Sequence, residues 1–249
     1  MAAIRKAKKN IGYKRRRILS CHSNWGDKNV MNILWSVIML GFYLVFMVMI
    51  CMSPVFFSEH ESGAVSLLLT TKYGKDRLVW AKIAASVSFA VLYLSIGMIL
   101  AVIIIGLLLG FQGADLPVQL WNSVIPYHLT VGQACVWSAV VILLISIVIT
   151  LFLLMCSARL HSSFAALVIG KAVMIVPAFL PMSKESGLWN HINYLFPIRV
   201  MDVKEMMGAF VSYAAGDCVI PYMGLVVIAY LGIGAAALLL IRKGFVRVR

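Results

Sequence analysis

An all-α bundle of membrane-spanning helices is the fold class that the sequence predicts. Three observations predict it. Of the 249 residues, 62% are hydrophobic and only 12% are charged, and the mean hydropathy is +0.96. A soluble domain carries about a quarter charged residues and about half apolar ones. The apolar residues are gathered into five long runs, and basic residues mark the edges of those runs. A soluble domain of this length has too little interior to hide so much apolar surface. The composition therefore excludes an ordinary soluble enzyme, a disordered chain and a fibrous one, and makes the bilayer the main solvent.

The elements follow in order. Residues 1–29 are a basic N-terminal segment with nine Lys or Arg, most of them in the run Arg5 to Arg17. It is expected to be disordered or atypical, and its simplest role is contact with anionic lipid. The first apolar run, Val30 to Phe57, is longer than a signal-peptide core, and no A-x-A site follows it, which argues against a cleavable leader. The second runs from Trp80 to Phe111 and must tilt or project. The third covers Ala134 to Cys156. The fourth, Phe164 to Pro181, is the weakest, because Lys171 and Pro177 interrupt it. The fifth covers Val219 to Ile241. Each is near or above the roughly 20 residues that cross about 30 Å of hydrocarbon, and backbone groups in lipid must pair within a helix.

Five spans put the termini on opposite faces. With 58–82 and the C-terminus cytoplasmic, the cytoplasmic loops and tail hold nine basic residues and the exterior loops after the first span hold three, which fits the positive-inside rule. The basic start then lies outside. The opposite orientation counts 12 basic residues inside against nine, only because of that start. The four later loops decide for the first orientation. The net charge of +13 thus reads as topology and lipid contact, with no nucleic acid implied.

The segment Ser58 to Lys82 carries the most information. Ser58 and Glu61 have the spacing of a capping box. Val65, Leu68 and Leu69 fall at i, i+3 and i+4, which predicts a short amphipathic helix. Gly74 stands where a C-terminal cap belongs. Asp76 can cap the second span and Lys82 can reach the interface. A short exposed helix between two spans suits docking into a groove of a partner protein.

With these residues in view, the stretch Ser53 to Lys82 resembles the permease subunit of type-2 ABC exporters. The shared pattern is Phe57, Glu59 to Glu61, Gly63, Leu67 to Thr70, Gly74–Lys75 and Ala81–Lys82, and the match extends over about Trp25 to Phe111. Beyond that it rests on span spacing and on the long loop before the last helix. The resemblance implies that 30–249 is a permease domain in a bacterial plasma membrane, crossed several times. It implies a coupling helix against a separate ATP-binding subunit, with Glu59, Glu61, Gly63, Leu68, Leu69, Lys72 and Arg77 in that role. ATP and magnesium would sit on the partner ATPase, and no cofactor on this chain. A second permease copy or a paralogue would complete the path. Permeases of this family usually have six spans where this chain has five, so an upstream span is expected to be missing.

Lys171 has two readings. As an intramembrane charge it is a candidate residue of a translocation path. It also stands seven residues from Phe164, roughly 10 Å of helix, within snorkelling reach of the interface, and this reach favours the second reading. Trp80, Trp121, Trp137 and Trp189 fit interfacial belts. Met47, Met49 and Met52 read as packing, and the small residues Gly232 to Ala237 as a close helix contact. Asp115, Asp202, Glu205 and Asp217 read as solvated loop charges. The five cysteines include no C-x-x-C pair, so neither a zinc site nor a disulfide framework is indicated.

Enzyme motifs are missing from the sequence. There is no G-x-x-x-x-G-K-[ST], no H-E-x-x-H and no G-x-S-x-G, so the chain has no P-loop, zincin or hydrolase signature. Two other classes compete with the transporter reading: a non-transporting membrane sensor or immunity-type protein, and, behind it, an intramembrane enzyme. A mobile 58–82 loop would favour the sensor, and convergent polar groups at membrane depth would favour the enzyme.

Overall fold

The computed structural model describes residues 27–55, 76–109, 114–115, 117–120, 127–160, 162–180, 188–202, 212–215 and 218–246. They form an all-α helical bundle with one small β-hairpin. Helix α1 is Asp27–Met52, α2 is Asp76–Leu109 and α3 is Val131–Arg159. Helix α4 is Ser163–Ile175, continued by a 3-10 turn at Val176–Phe179. Two short helices follow, α5 at Leu188–Tyr194 and α6 at Pro197–Met201. Strands β1 (Ser212–Ala215) and β2 (Cys218–Pro221) pair antiparallel, with Ser212 opposite Pro221. Helix α7, Tyr222–Val246, ends the described chain.

Four of these helices are long and apolar enough to cross a membrane: Trp35–Met52, Val79–Leu108, Val131–Arg159 and Tyr222–Ile241. The chain is a multi-pass membrane protein. Its outer faces are apolar, as lipid requires: Leu107, Leu108 and Phe179 are each more than three-quarters exposed.

The fourth apolar run differs from its expectation as a full span. It gives 17 residues of helix, Ser163–Phe179, below the roughly 20 that a crossing needs. Pro177 is the reason. It has no N–H to donate and its ring blocks the α-helical path, so the last turn tightens to 3-10 and ends at Leu180. Boundaries shift elsewhere for similar reasons. Helix α1 ends at Met52, five residues before the expected Phe57, because Pro54 disfavours helical backbone at Ser53. Residues 219–221 belong to β2, so the last span starts at Tyr222.

Helix α3 is the centre of the bundle. It is 61% buried along its span, against 22% for α2 and 28% for α7. Helices α1 and α3 run side by side in the same direction. A Cβ on Gly41 would meet Ile142 Cδ1 at 2.6 Å, and twelve residues on, Ser157 Oγ donates to the Ser53 carbonyl at 2.9 Å. Glycine at 41 therefore lets the two helices approach. Helix α2 runs back antiparallel, with Leu44 of α1 filling the space over Gly97. Helix α7 runs parallel to α3, since Gly234 lies against Val148 and Ile241 clusters with Leu154, Val79 and Ile83. The end of α1, the start of α2 and the far ends of α3 and α7 thus share one end of the bundle. The connection from α2 to α3, the β-hairpin and the start of α7 are at the other.

Candidate functional site

Most of the expected coupling residues, namely Glu59, Glu61, Gly63, Leu68, Leu69 and Lys72, lie outside the described residues. Their base is described. Lys82 Nζ donates to the Val55 carbonyl at 3.2 Å, which ties the first turns of α2 to the turn after α1. Arg77 is exposed in the first turn of α2, at that same end. Lys171 stands deeper than that end. Its Nζ lies 4.6 Å from the centre of the Phe46 ring, and Phe46 itself stacks on Phe42 at 5.6 Å. Phe46 is six residues before the end of α1, so the amine sits roughly 9 Å inside that helix end. An aromatic face holds the ammonium there. Arg77 and Lys171 are not brought together.

The deeper feature is the segment after α4. Because α4 stops short, the chain has room to fold back into the bundle. Helices α5 and α6 make a hairpin whose tip, Leu195 to Pro197, borders a cavity of about 250 Å3 together with Val148 and Phe152 on α3 and Gly170 on α4. Tyr230, which meets the tip, lies eight residues or roughly 12 Å along α7 from its start, so the hairpin is re-entrant from the β-hairpin end.

Backbone at such depth must find every partner inside the protein, and the tip shows how. The Leu195 and Phe196 amides donate to the Ile192 and Asn193 carbonyls, at 3.1 and 3.2 Å. Pro197 opens α6 at a position where the missing N–H costs nothing. The carbonyls at the end of α5 have no helical partner, and α7 supplies two. Tyr222 Oη donates to the Tyr194 carbonyl, and Tyr230 Oη donates to the Leu195 carbonyl at 3.0 Å. The Tyr194 and Tyr222 rings also meet edge to face at 5.7 Å, a favoured aromatic geometry. Arg199 Nη2 reaches the Leu180 carbonyl at 3.5 Å, at the end of the 3-10 turn after α4. Gly170 keeps α4 close: a Cβ there would meet Leu153 Cδ2 at 2.5 Å and Met49 Cε at 3.1 Å.

Several polar groups in this region are buried without hydrogen-bond partners. They are both amide atoms of Asn193 and the hydroxyls of Ser146 and Thr150. Ser146 and Thr150 lie one turn apart on α3, on the stripe between Ile142 and Ser157 that meets α1. These are polar positions at membrane depth, but they do not converge with a nucleophile and base, and no group of three or more His, Cys, Asp or Glu among the described residues can hold a metal ion.

Sequence reasoning missed Tyr222, Tyr230 and Asn193. A signal for the tyrosines was present: they are eight residues apart on one face of an apolar run, with the buried Val226 between them, and a buried phenol needs a partner. Asn193 gave no signal, because its burial depends on the fold-back of α5. The chain gives no match to known protein families, to curated proteins or to solved structures.

Proposed function

We propose that the chain is the membrane-spanning permease subunit of an ATP-driven exporter of the type-2 ABC kind, in a bacterial plasma membrane. The observation that carries this reading is the pattern of Glu59, Glu61, Gly63, Leu68 and Leu69, joined to its position between the tied ends of α1 and α2. Support comes also from the end of α7, which finishes at that same end of the bundle. The short α4 and the re-entrant α5–α6 hairpin border a crevice within the bundle.

In this reading a separate subunit binds ATP and magnesium, and its closure pushes on residues 59–72. The tie between Lys82 and Val55 makes α1 and α2 move together. Helix α1 packs along α3 and over α4 through Met49, so its tilt reaches the walls of that crevice. Such a rigid-body switch between two packed arrangements exposes the path to one side and then to the other. A second copy of the chain, or a paralogue, supplies the other half of the path.

The test is a tagged pull-down from detergent-solubilised membranes, comparing wild type with Glu61→Arg plus Leu68→Asp. The reading expects an ATP-binding subunit with wild type and its loss in the double variant. Recovery of no such subunit with either protein contradicts it and favours the sensor class.

A further inference from the structure

Residues 189–194 of α5 bury the wrong kind of side chain for a helix inside a membrane protein. Asn193 is the one buried residue among them, 1% exposed, whereas Trp189 and Ile192 are each 49% exposed. Neither amide atom of Asn193 has a hydrogen-bond partner among the described residues. A buried donor or acceptor without a partner costs its full desolvation. The side chain that α5 buries most deeply therefore opposes its docking. With seven residues, α5 is also too short to be stable alone. Helix α6 is the reverse: its Pro197, Val200 and Met201 are all buried and apolar, so it is anchored in the bundle.

The two hydroxyls of α7 hold α5 in. Tyr222 and Tyr230 donate to the Tyr194 and Leu195 carbonyls, while the Tyr194 and Leu195 side chains are only partly buried against the core. The opposite side is not tight. The cavity of about 250 Å3 has Ile192, Leu195 and Phe196 on its hairpin side and α3, α4 and α7 on the others. A close-packed interior leaves few voids larger than a water molecule, so the tip is not wedged in place.

We propose that α5 and the turn after it form a gate that pivots at Pro197. Docked, the gate walls the cavity and its carbonyls pair with the two tyrosines. Undocked, it swings toward the β-hairpin end, from which the hairpin enters, and Asn193 meets water there. The tyrosine bonds favour the first arrangement and the Asn193 amide favours the second, so the two lie close in free energy and the hairpin can switch between them. Opening takes Ile192, Leu195 and Phe196 out of the cavity wall and exposes the cavity to that side. The gate follows from the hairpin's own packing and needs no ATP-binding partner.

The experiment measures maleimide labelling of a cysteine placed at Phe196, in the full chain without native cysteines, in nanodiscs. Asn193→Leu keeps the size of the side chain and removes the unpaired amide. The gate predicts labelling slower by about fivefold or more, the reciprocal of the cost of one buried unpaired group. Asn193→Asp puts a carboxylate in the same place, which burial disfavours further, and should label faster than wild type. A purely structural asparagine gives the opposite sign for Asn193→Leu, because its loss would loosen α5. Labelling of Asn193→Leu equal to wild type or faster therefore overturns the gate. If Asn193→Leu does not fold, spin labels at Ile192 and Leu231, both exposed, decide in a chain that keeps Asn193. The gate predicts two distance populations, with the second enlarged by Tyr222→Phe plus Tyr230→Phe. A single narrow distance that the tyrosine variant leaves unchanged overturns it.

Discussion

The two tyrosines of α7 allow a quantitative test of the re-entrant hairpin. Tyr222→Phe and Tyr230→Phe each remove a single hydroxyl and keep the ring, so packing changes little. Each leaves one carbonyl of the α5–α6 turn without its donor. A hydrogen bond between side chain and backbone contributes about 0.5–1.5 kcal/mol net, and interhelical bonds in membranes average about 0.6 and reach about 1.7 kcal/mol. The residues are eight positions apart, roughly 12 Å along α7, so the two losses should add. The double variant should therefore loosen the hairpin by about 1–3 kcal/mol, which at 1.4 kcal/mol per decade is about a 5–150-fold rise in its undocked population. The assay is the rate of maleimide labelling of a cysteine placed at Phe196, in a background without native cysteines. Wild type should label slowly, each single variant faster, and the double variant fastest. Equal rates in all four proteins would refute the claim that these hydroxyls hold the hairpin in the bundle.

Other consequences follow from the same packing. Ser157→Ala should destabilise by about 1 kcal/mol, because it removes a buried bond, whereas Ser146→Ala and Thr150→Val should be neutral or stabilising, because their hydroxyls are buried without partners; resistance to SDS unfolding reads both signs. Gly170→Val should destabilise by about 1–3 kcal/mol through overpacking against Leu153 and Met49, with Gly170→Ala milder, since flexible side-chain ends can give way. Lys171→Met and Phe46→Leu should each cost about 0.5–2 kcal/mol, and a double-mutant cycle should return that energy as coupling between them; strictly additive losses would argue that the ring and the ammonium do not interact.

The helical class and the number of apolar runs were legible in composition and run length alone, because lipid leaves the backbone few options. The relative direction of the long helices was legible too: alternation of five runs places 58–82 and the C-terminus at one end, and the contacts of Ser53 with Ser157 and of Val79 with Ile241 put the end of α1, the start of α2 and the far ends of α3 and α7 together. The fourth run was flagged as weak through Pro177, but its consequence was not legible. Whether a short helix stands alone or makes room for a re-entrant hairpin depends on contacts between α5, α6 and α7, which are far apart in sequence. Arg199 illustrates this. In the sequence it is one basic residue in a long loop; in the fold its guanidinium closes the end of the turn after α4. Lys171 has its amine over the Phe46 ring of α1, a neighbour that spacing along α4 cannot reveal. The cavity beside the hairpin tip was illegible for the same reason, since it is bordered by three or more elements.

The central claim is that residues 59–72 dock on an ATP-binding subunit. The most direct measurement is photo-cross-linking in intact membranes with a benzoylphenylalanine at Leu68, compared with one at Leu231 on the apolar outer face of α7. The account predicts that the probe at Leu68 captures a protein carrying a nucleotide-binding motif, and that the probe at Leu231 does not. Capture of no such protein from Leu68, or equal capture from both positions, would contradict it.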